Sequence, residues 1–204
     1  MKHTNRLLLI TLGIFMSCAL VAQEDPYQVM AGSSDSVLQT IDEQRALHNN
    51  QVNDGMVQAL LDSLSPIVDF ESIALAVMGN HRTAAAPAQI DKFTGVFADS
   101  MVRLYLESFV AFEIEEVMVL DAPADFDPDS GRATVRMEVT NSANTKFEIS
   151  YSMRTSDSGE WKVRNIIVDG VNLGLTYLNQ FSGAMSRYNN DLDQVIDSWA
   201  EELQ

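Results

Sequence analysis

The sequence predicts an α+β fold: a curved antiparallel sheet of about four strands, cystatin/NTF2-like, covered by helices, with a helical N-terminal half and a helical C-terminal tail. Three observations predict it. Apolar residues recur at helical spacing up to Phe112, alternate with a period of two between Ala133 and Arg164, and return to helical spacing from Leu173. Turn-forming clusters at 141–144 and 156–159 separate the alternating runs as hairpins do. No repeat or low-complexity stretch interrupts the chain, and Pro and Gly stand singly at boundaries.

The first 22 residues read as an export leader. Lys2 and Arg6 precede the apolar run 7–15, and small residues follow up to Ala22, the order of a signal peptide. The run is too short to cross about 30 Å of hydrocarbon as a helix, which takes roughly 20 apolar residues. The expected organisation is therefore a signal peptide at 1–22 and a single domain at 23–204, large enough to bury a core without cross-links. Cys18, the only cysteine, sits inside the leader, and an acylated lipoprotein cysteine is the alternative reading. Phe15 and Met16 are bulky for a lipoprotein cleavage box. Cleavage after Ala22 leaves a chain with no thiol, excluding disulfides and thiol catalysis.

The formal charge is −16, and loss of Lys2 and Arg6 with an acid-free leader takes it to −18. Nucleic acid is then a poor partner, because its binding rests on Lys and Arg displacing counterions. An anionic membrane surface repels such a chain over about 8–10 Å. A docking partner should present a basic patch.

The elements follow in order. From Tyr27 to His48, Val37, Leu38, Ile41 and Leu47 keep a loose helical period. Asn53 or Asp54 can cap a second helix whose stripe is Met56, Val57, Leu60, Leu61 and Leu64, ended by Pro66. Asp69 suits the N-cap of a short helix carrying Ile73, Ala74, Val77 and Met78, with Gly79 as its stop. Pro87 fits the first turn of the clearest helix, where Ile90, Phe93, Phe97, Met101, Leu104 and Phe112 lie opposite Asp91, Lys92, Asp99 and Arg103. A first strand, less cleanly patterned, covers 113–120. Three more have an inward set and an outward set: Ala133, Val135, Met137 and Val139; Phe147, Ile149, Tyr151 and Met153; Trp161 and Val163, this last pair alternating with Lys162 and Arg164. The tail is helical over 173–187 and 191–203 through Leu175, Leu178, Val195, Ile196 and Trp199.

No catalytic or metal constellation emerges. His3, His48 and His81 lie too far apart for a local zinc motif. Asp125, Asp127 and Asp129 with Gly131 suggest a calcium loop, but Ser130 stands where the EF-hand needs Gly and Arg136 where it needs Glu. Phosphate loops and nucleophile elbows are absent. Acidic pairs such as Asp69 and Glu71, or Glu113 and Glu115, are those of helix caps and charged strand faces. An isomerase or dehydratase on a cystatin-like scaffold is the enzymatic alternative; it needs an Asp or His on the apolar sheet face. The inward positions contain neither. Those positions are large and Met-rich, which suits flexible apolar partners as well as packed cores. Periodicity says which side is dry, not whether the space is filled.

The stretch WKVRNIIVDGVNLGLTYLNQF from Trp161 to Phe181 and the stretch VDFESIALAVMG from Val68 to Gly79 resemble the MlaC family, also called the toluene-tolerance or ABC-transporter auxiliary family. The likeness extends over nearly the whole chain after the leader. It implies a periplasmic protein of Gram-negative cells, not an enzyme and without cofactor or metal, which carries phospholipid between an outer-membrane lipoprotein complex and an inner-membrane ABC transporter with its substrate-binding ring protein, maintaining outer-membrane lipid asymmetry. It further implies tails between helices and sheet against Ile73, Val77, Met78, Phe97, Met101, Leu104, Tyr105, Phe147, Tyr151, Trp161 and Val163. The segment 168–175, with Val168, Val171 and Leu175, would line the mouth, and Arg164 and Lys162 stand near it. Leu178 departs from the family pattern, which carries Arg after the Tyr. A lipoprotein interaction module, motivated by Cys18 and the acidic surface, is the remaining alternative.

Overall fold

The computed structural model describes residues 24–49 and 51–202, so the expected leader, with His3 and Cys18, lies outside the described residues. Four helices come first: α1 Pro26–His48, α2 Asp54–Leu64, α3 Phe70–Met78 and α4 Pro87–Phe112. The expected caps hold three of their starts. Asn53 Oδ1 accepts from the Met56 amide at 3.1 Å, Asp69 Oδ1 from the Ser72 amide at 2.9 Å, and Pro87 opens α4.

Gly79 ends α3 at φ 55° and ψ −128°, a conformation essentially closed to side-chain-bearing residues. A Cβ there would sit 2.6 Å from Leu178 Cδ1. Gly79→Ala is therefore expected to cost about 1–3 kcal/mol through strain, read as a lower urea midpoint with unchanged m.

Strands β1 Ile114–Val119, β2 Arg132–Asn141, β3 Lys146–Thr155, β4 Trp161–Val168 and β5 Val171–Asn172 form an antiparallel meander in that order. Two helices follow, α5 Leu173–Arg187 and α6 Leu192–Glu202. The fifth strand, beyond the four expected, is two residues long, too short to display a period. Register between β2 and β3 sets Ala133, Val135, Met137 and Val139 against Met153, Tyr151, Ile149 and Phe147. These share the inner face, while Thr134, Arg136 and Glu138 pair with Ser152, Ser150 and Glu148 on the other.

Strict alternation fails at Arg164. Ser152 pairs with Asn165, yet its neighbour Met153 pairs with Val163, so Arg164 is the extra residue of a β-bulge. Instead of alternating outward with Lys162, its guanidinium meets Asp69 Oδ2 at 3.0 Å and donates to Ser72 Oγ at 2.9 Å. The backbone of Val163 is taken up by residues 67–69, donating to Ile67 O at 2.7 Å and accepting from Asp69 N at 3.1 Å. The bulge thus locks the start of α3 to the sheet.

Three closed cores result. Val77, Met78, Phe93, Phe97, Phe181, Val195, Ile196 and Trp199 join α3, α4, α5 and α6. Tyr27, Met30 and Ile67 pack on Ala133, Val135, Met137, Met153, Trp161 and Val163 of the sheet. Val37, Ile41, Met56, Val57 and Leu60 meet Val102, Leu106 and Phe109 of α4. The single stripe expected for α4 is therefore two. Its first half buries Phe93 and Phe97, whereas its second half buries Val102, Leu106 and Phe109 against α1 and α2. At 100° per residue those two sets lie on nearly opposite faces of the helix, Val102 being 180° around from Phe93. Among the described residues no helix is long and apolar enough to cross a membrane.

Candidate functional site

The original α4 stripe does not end where its packing ends. Met101, Tyr105, Ser108 and Phe112 continue one face of the helix at spacings of three and four. Across from them β3 presents Phe147, Ile149 and Tyr151, flanked on β4 by Val168 opposite Ile149 and Ile166 opposite Tyr151. The two faces touch at one end, where the Phe112 and Phe147 rings lie 5.8 Å apart. Seven residues back along α4 is about 10 Å, and four residues along β3 is about 13 Å. Tyr105 and Tyr151 are thereby brought opposite each other.

Between these faces the packing is incomplete. Leu104, Tyr105 and Phe112 are 38%, 39% and 53% exposed, and Phe147, Ile149 and Val168 are half-open. None of the six belongs to a closed core. Desolvation by the surrounding protein pushes the Tyr105 hydroxyl above the ordinary value of 10, while the residue as a whole stays 39% exposed. Burial pushes Tyr151 far higher, with Tyr105 adding to the shift. Among the described residues neither hydroxyl has a hydrogen-bond partner. These half-open faces of α4 and β3, with a tyrosine on each, bound an apolar cleft outside the three closed cores.

The titration has a consequence for stability. Burial raises Tyr27, Tyr105, Tyr151 and Tyr177 in the folded chain. A raised folded value means stability is full below the ordinary 10 and is lost as pH climbs past it. Tyrosinate absorbance of these four should therefore appear together with unfolding. Reversible ionisation of all four near pH 10 in a chain that stays folded would contradict the burial.

A groove of about 280 Å³ opens where Ile73 and Ala76 of α3 meet Arg164 and Asn165 of the bulge and Asn172, Gly174, Leu175 and Leu178 around the start of α5. Asn172 Oδ1 accepts from Leu175 N at 3.0 Å and Asn165 Oδ1 from Gly174 N at 3.2 Å, which fixes that first turn. A larger hollow, about 460 Å³, lies at the other end of the bulge between Tyr27, the 123–130 segment, Arg132 and Arg154. Arg164 borders both. In the 125–131 segment Asp127 accepts from the Asp129 amide at 3.0 Å and Gly131 turns the chain at φ 63°, as in a capped turn.

The structure divides the fourteen residues singled out by sequence. Val77, Met78, Phe97, Trp161 and Val163 lie in filled core, and the Trp161 indole donates to Glu24 O at 2.6 Å. Met101, Leu104, Tyr105, Phe147, Tyr151 and Val168 are the half-open set on α4, β3 and β4. Ile73 and Leu175 line the groove, and Val171 is exposed on β5. Phe112 and Ile149 border the cleft without having been singled out, although each sat in a recognised period. Ile166 was hidden by the bulge, which breaks the alternation two residues before it. The polar groups the sheet offers on this side are the Tyr151 hydroxyl and the ion-paired Arg164.

Against known proteins, the MlaC protein family matches residues 32–201. The chain is 33% identical over 200 residues to the toluene tolerance protein ttg2D of Pseudomonas putida, covering 98% of this chain and 90% of that protein. Its fold is similar to that of a phospholipid-binding protein from Ralstonia solanacearum solved in complex with a phospholipid, with TM-score 0.75 and 24% identity over 88% of this chain and 97% of that one.

Proposed function

The chain belongs to the MlaC family, and from that premise we propose that it is a periplasmic phospholipid carrier that holds acyl tails in the cleft between α4 and β3. In this reading residues 1–22 are removed on export, leaving one lipid-binding domain. The carrier takes lipid from, or delivers it to, an outer-membrane lipoprotein complex and an inner-membrane ABC transporter with its ring protein, and so maintains outer-membrane lipid asymmetry. It catalyses no reaction.

The observation that carries the reading is the pair of apolar faces left unfilled, Leu104, Tyr105 and Phe112 over Phe147, Ile149 and Val168. A protein interior of ordinary density does not leave six large side chains half-open on facing surfaces. Energetics favour the same occupant. Withdrawing a tail of about 16 carbons from water is worth on the order of 13 kcal/mol at ~0.8 kcal/mol per methylene, so a carrier must enclose tails nearly completely to compete with a bilayer. The head group can stay wet in the groove by Arg164 and Leu175. The net charge of −16 opposes unaided adsorption to anionic lipid and favours hand-over through basic protein surfaces. The lipid-complexed Ralstonia protein of similar fold adds support by analogy.

Incubation of the leader-free chain with vesicles containing deuterated phospholipid, followed by separation and extraction, tests the reading. Labelled lipid should be recovered with the protein and passed on to lipid-free acceptor vesicles. Failure to acquire any lipid would overturn it.

A further inference from the structure

Two donors stand unmet in a largely apolar cleft, where the other hydroxyl on the α4 wall, that of Ser108, already donates to Leu104 O at 2.8 Å. Tyr105 projects from the open face of α4 and Tyr151 from β3 between Val135 and Ile166, and among the described residues neither hydroxyl has a partner. Both remain neutral well above ordinary pH, so each can donate. Neither is among the sealed unpaired atoms, so each hydroxyl opens on the space between the two faces, where an acceptor brought by a ligand would meet it. The neighbouring aromatic pair across the cleft, Phe112 and Phe147, carries no such donor. Their position along the cleft is also defined. Toward Phe112 and Phe147 the walls are apolar apart from Ser108, whose hydroxyl is taken up by Leu104 O, whereas past Ile166 the strand turns Asn165 to the other face and reaches the bulge at Arg164, which borders the groove. The tyrosines therefore lie between the apolar end at Phe112 and Phe147 and the Arg164 side of the sheet.

A diacyl phospholipid has the matching chemistry at one place, the two ester carbonyls between its tails and its head group, which accept hydrogen bonds and carry no charge. Building on the carrier reading, we propose that the hydroxyls of Tyr105 and Tyr151 donate to the ester carbonyls of the bound lipid, fixing the depth to which the tails enter and selecting ester-linked over ether-linked lipid. The phosphate then lies toward Arg164 and the first turn of α5.

Competition between a diester phospholipid and its dialkyl ether analogue, matched in head group and chain length, read by native mass spectrometry on the leader-free chain, tests this. The wild type should favour the ester by about tenfold, the size of one or two net hydrogen bonds. Tyr105→Phe and Tyr151→Phe should each narrow the preference, and the double variant should bind both lipids alike. A wild type indifferent to the linkage, or a preference that survives in the double variant, overturns the inference while the carrier reading stands. Binding of neither lipid by the wild type overturns both.

Discussion

Replacing Ile149 by Asp is expected to give a protein that folds and has lost its lipid. Ile149 sits in the middle of β3 on the inner face, paired with Met137 and Val168, half-open and outside every closed core. In the empty cleft the carboxylate reaches water, so the cost to folding is limited to strand propensity and lost partial burial, about 1 kcal/mol. With tails in place the same carboxylate is stripped of water beside hydrocarbon and has no cation to pair with, a penalty of several kcal/mol. Lipid affinity should fall by at least about 100-fold, each 1.4 kcal/mol being tenfold. Circular dichroism and a melting curve near wild type, with lipid absent on extraction, are the expected results. Retained lipid would mean that Ile149 does not face the tails.

The opposite pairing of effects is expected at Trp199. Its side chain is wholly enclosed, with Phe93, Phe97 and Phe181 ring centroids 5.3, 6.3 and 5.7 Å away. Trp199→Ala removes the keystone of the four-helix core and should cost about 3–5 kcal/mol. For a domain of this size that lowers the melting temperature by roughly 6–20 °C. Among the described residues the indole nitrogen has no acceptor, so part of the ring's contribution is offset by an unmade hydrogen bond. Trp199→Phe should accordingly stay within about 1.5 kcal/mol of wild type. Lipid carried per folded chain should be unchanged in both, because the core lies on the α3, α5 and α6 side of α4. Lipid loss matching the stability loss would show that core and cleft are one unit.

That contrast states what the amino-acid pattern can and cannot disclose. The caps at Asn53, Asp69 and Pro87, the hairpins and the inner face of β2 and β3 were legible because each depends on local chemistry or on a fixed period. The second stripe of α4 was missed because Val102, Leu106 and Phe109 are buried by a third set of partners, α1 and α2, whose position is set by tertiary packing. Arg164 and Ile166 were misread or missed because one inserted residue reverses every face after it. Filled and unfilled space look alike in sequence: Phe97 and Met101 share a stripe, yet the first is sealed in a core and the second borders the cleft. The distinction appears only when the wall opposite is known. Five of the fourteen residues that the family resemblance implies, Val77, Met78, Phe97, Trp161 and Val163, are closed core that presents almost no surface to a ligand.

Lipid content of the chain as cells make it tests the account most directly. Full-length protein expressed in a Gram-negative host, recovered from the periplasmic fraction and examined by native mass spectrometry, should lack residues 1–22 and carry the mass of phospholipid, which solvent extraction releases. A chain that emerges bare, and stays bare after incubation with phospholipid vesicles, would contradict it.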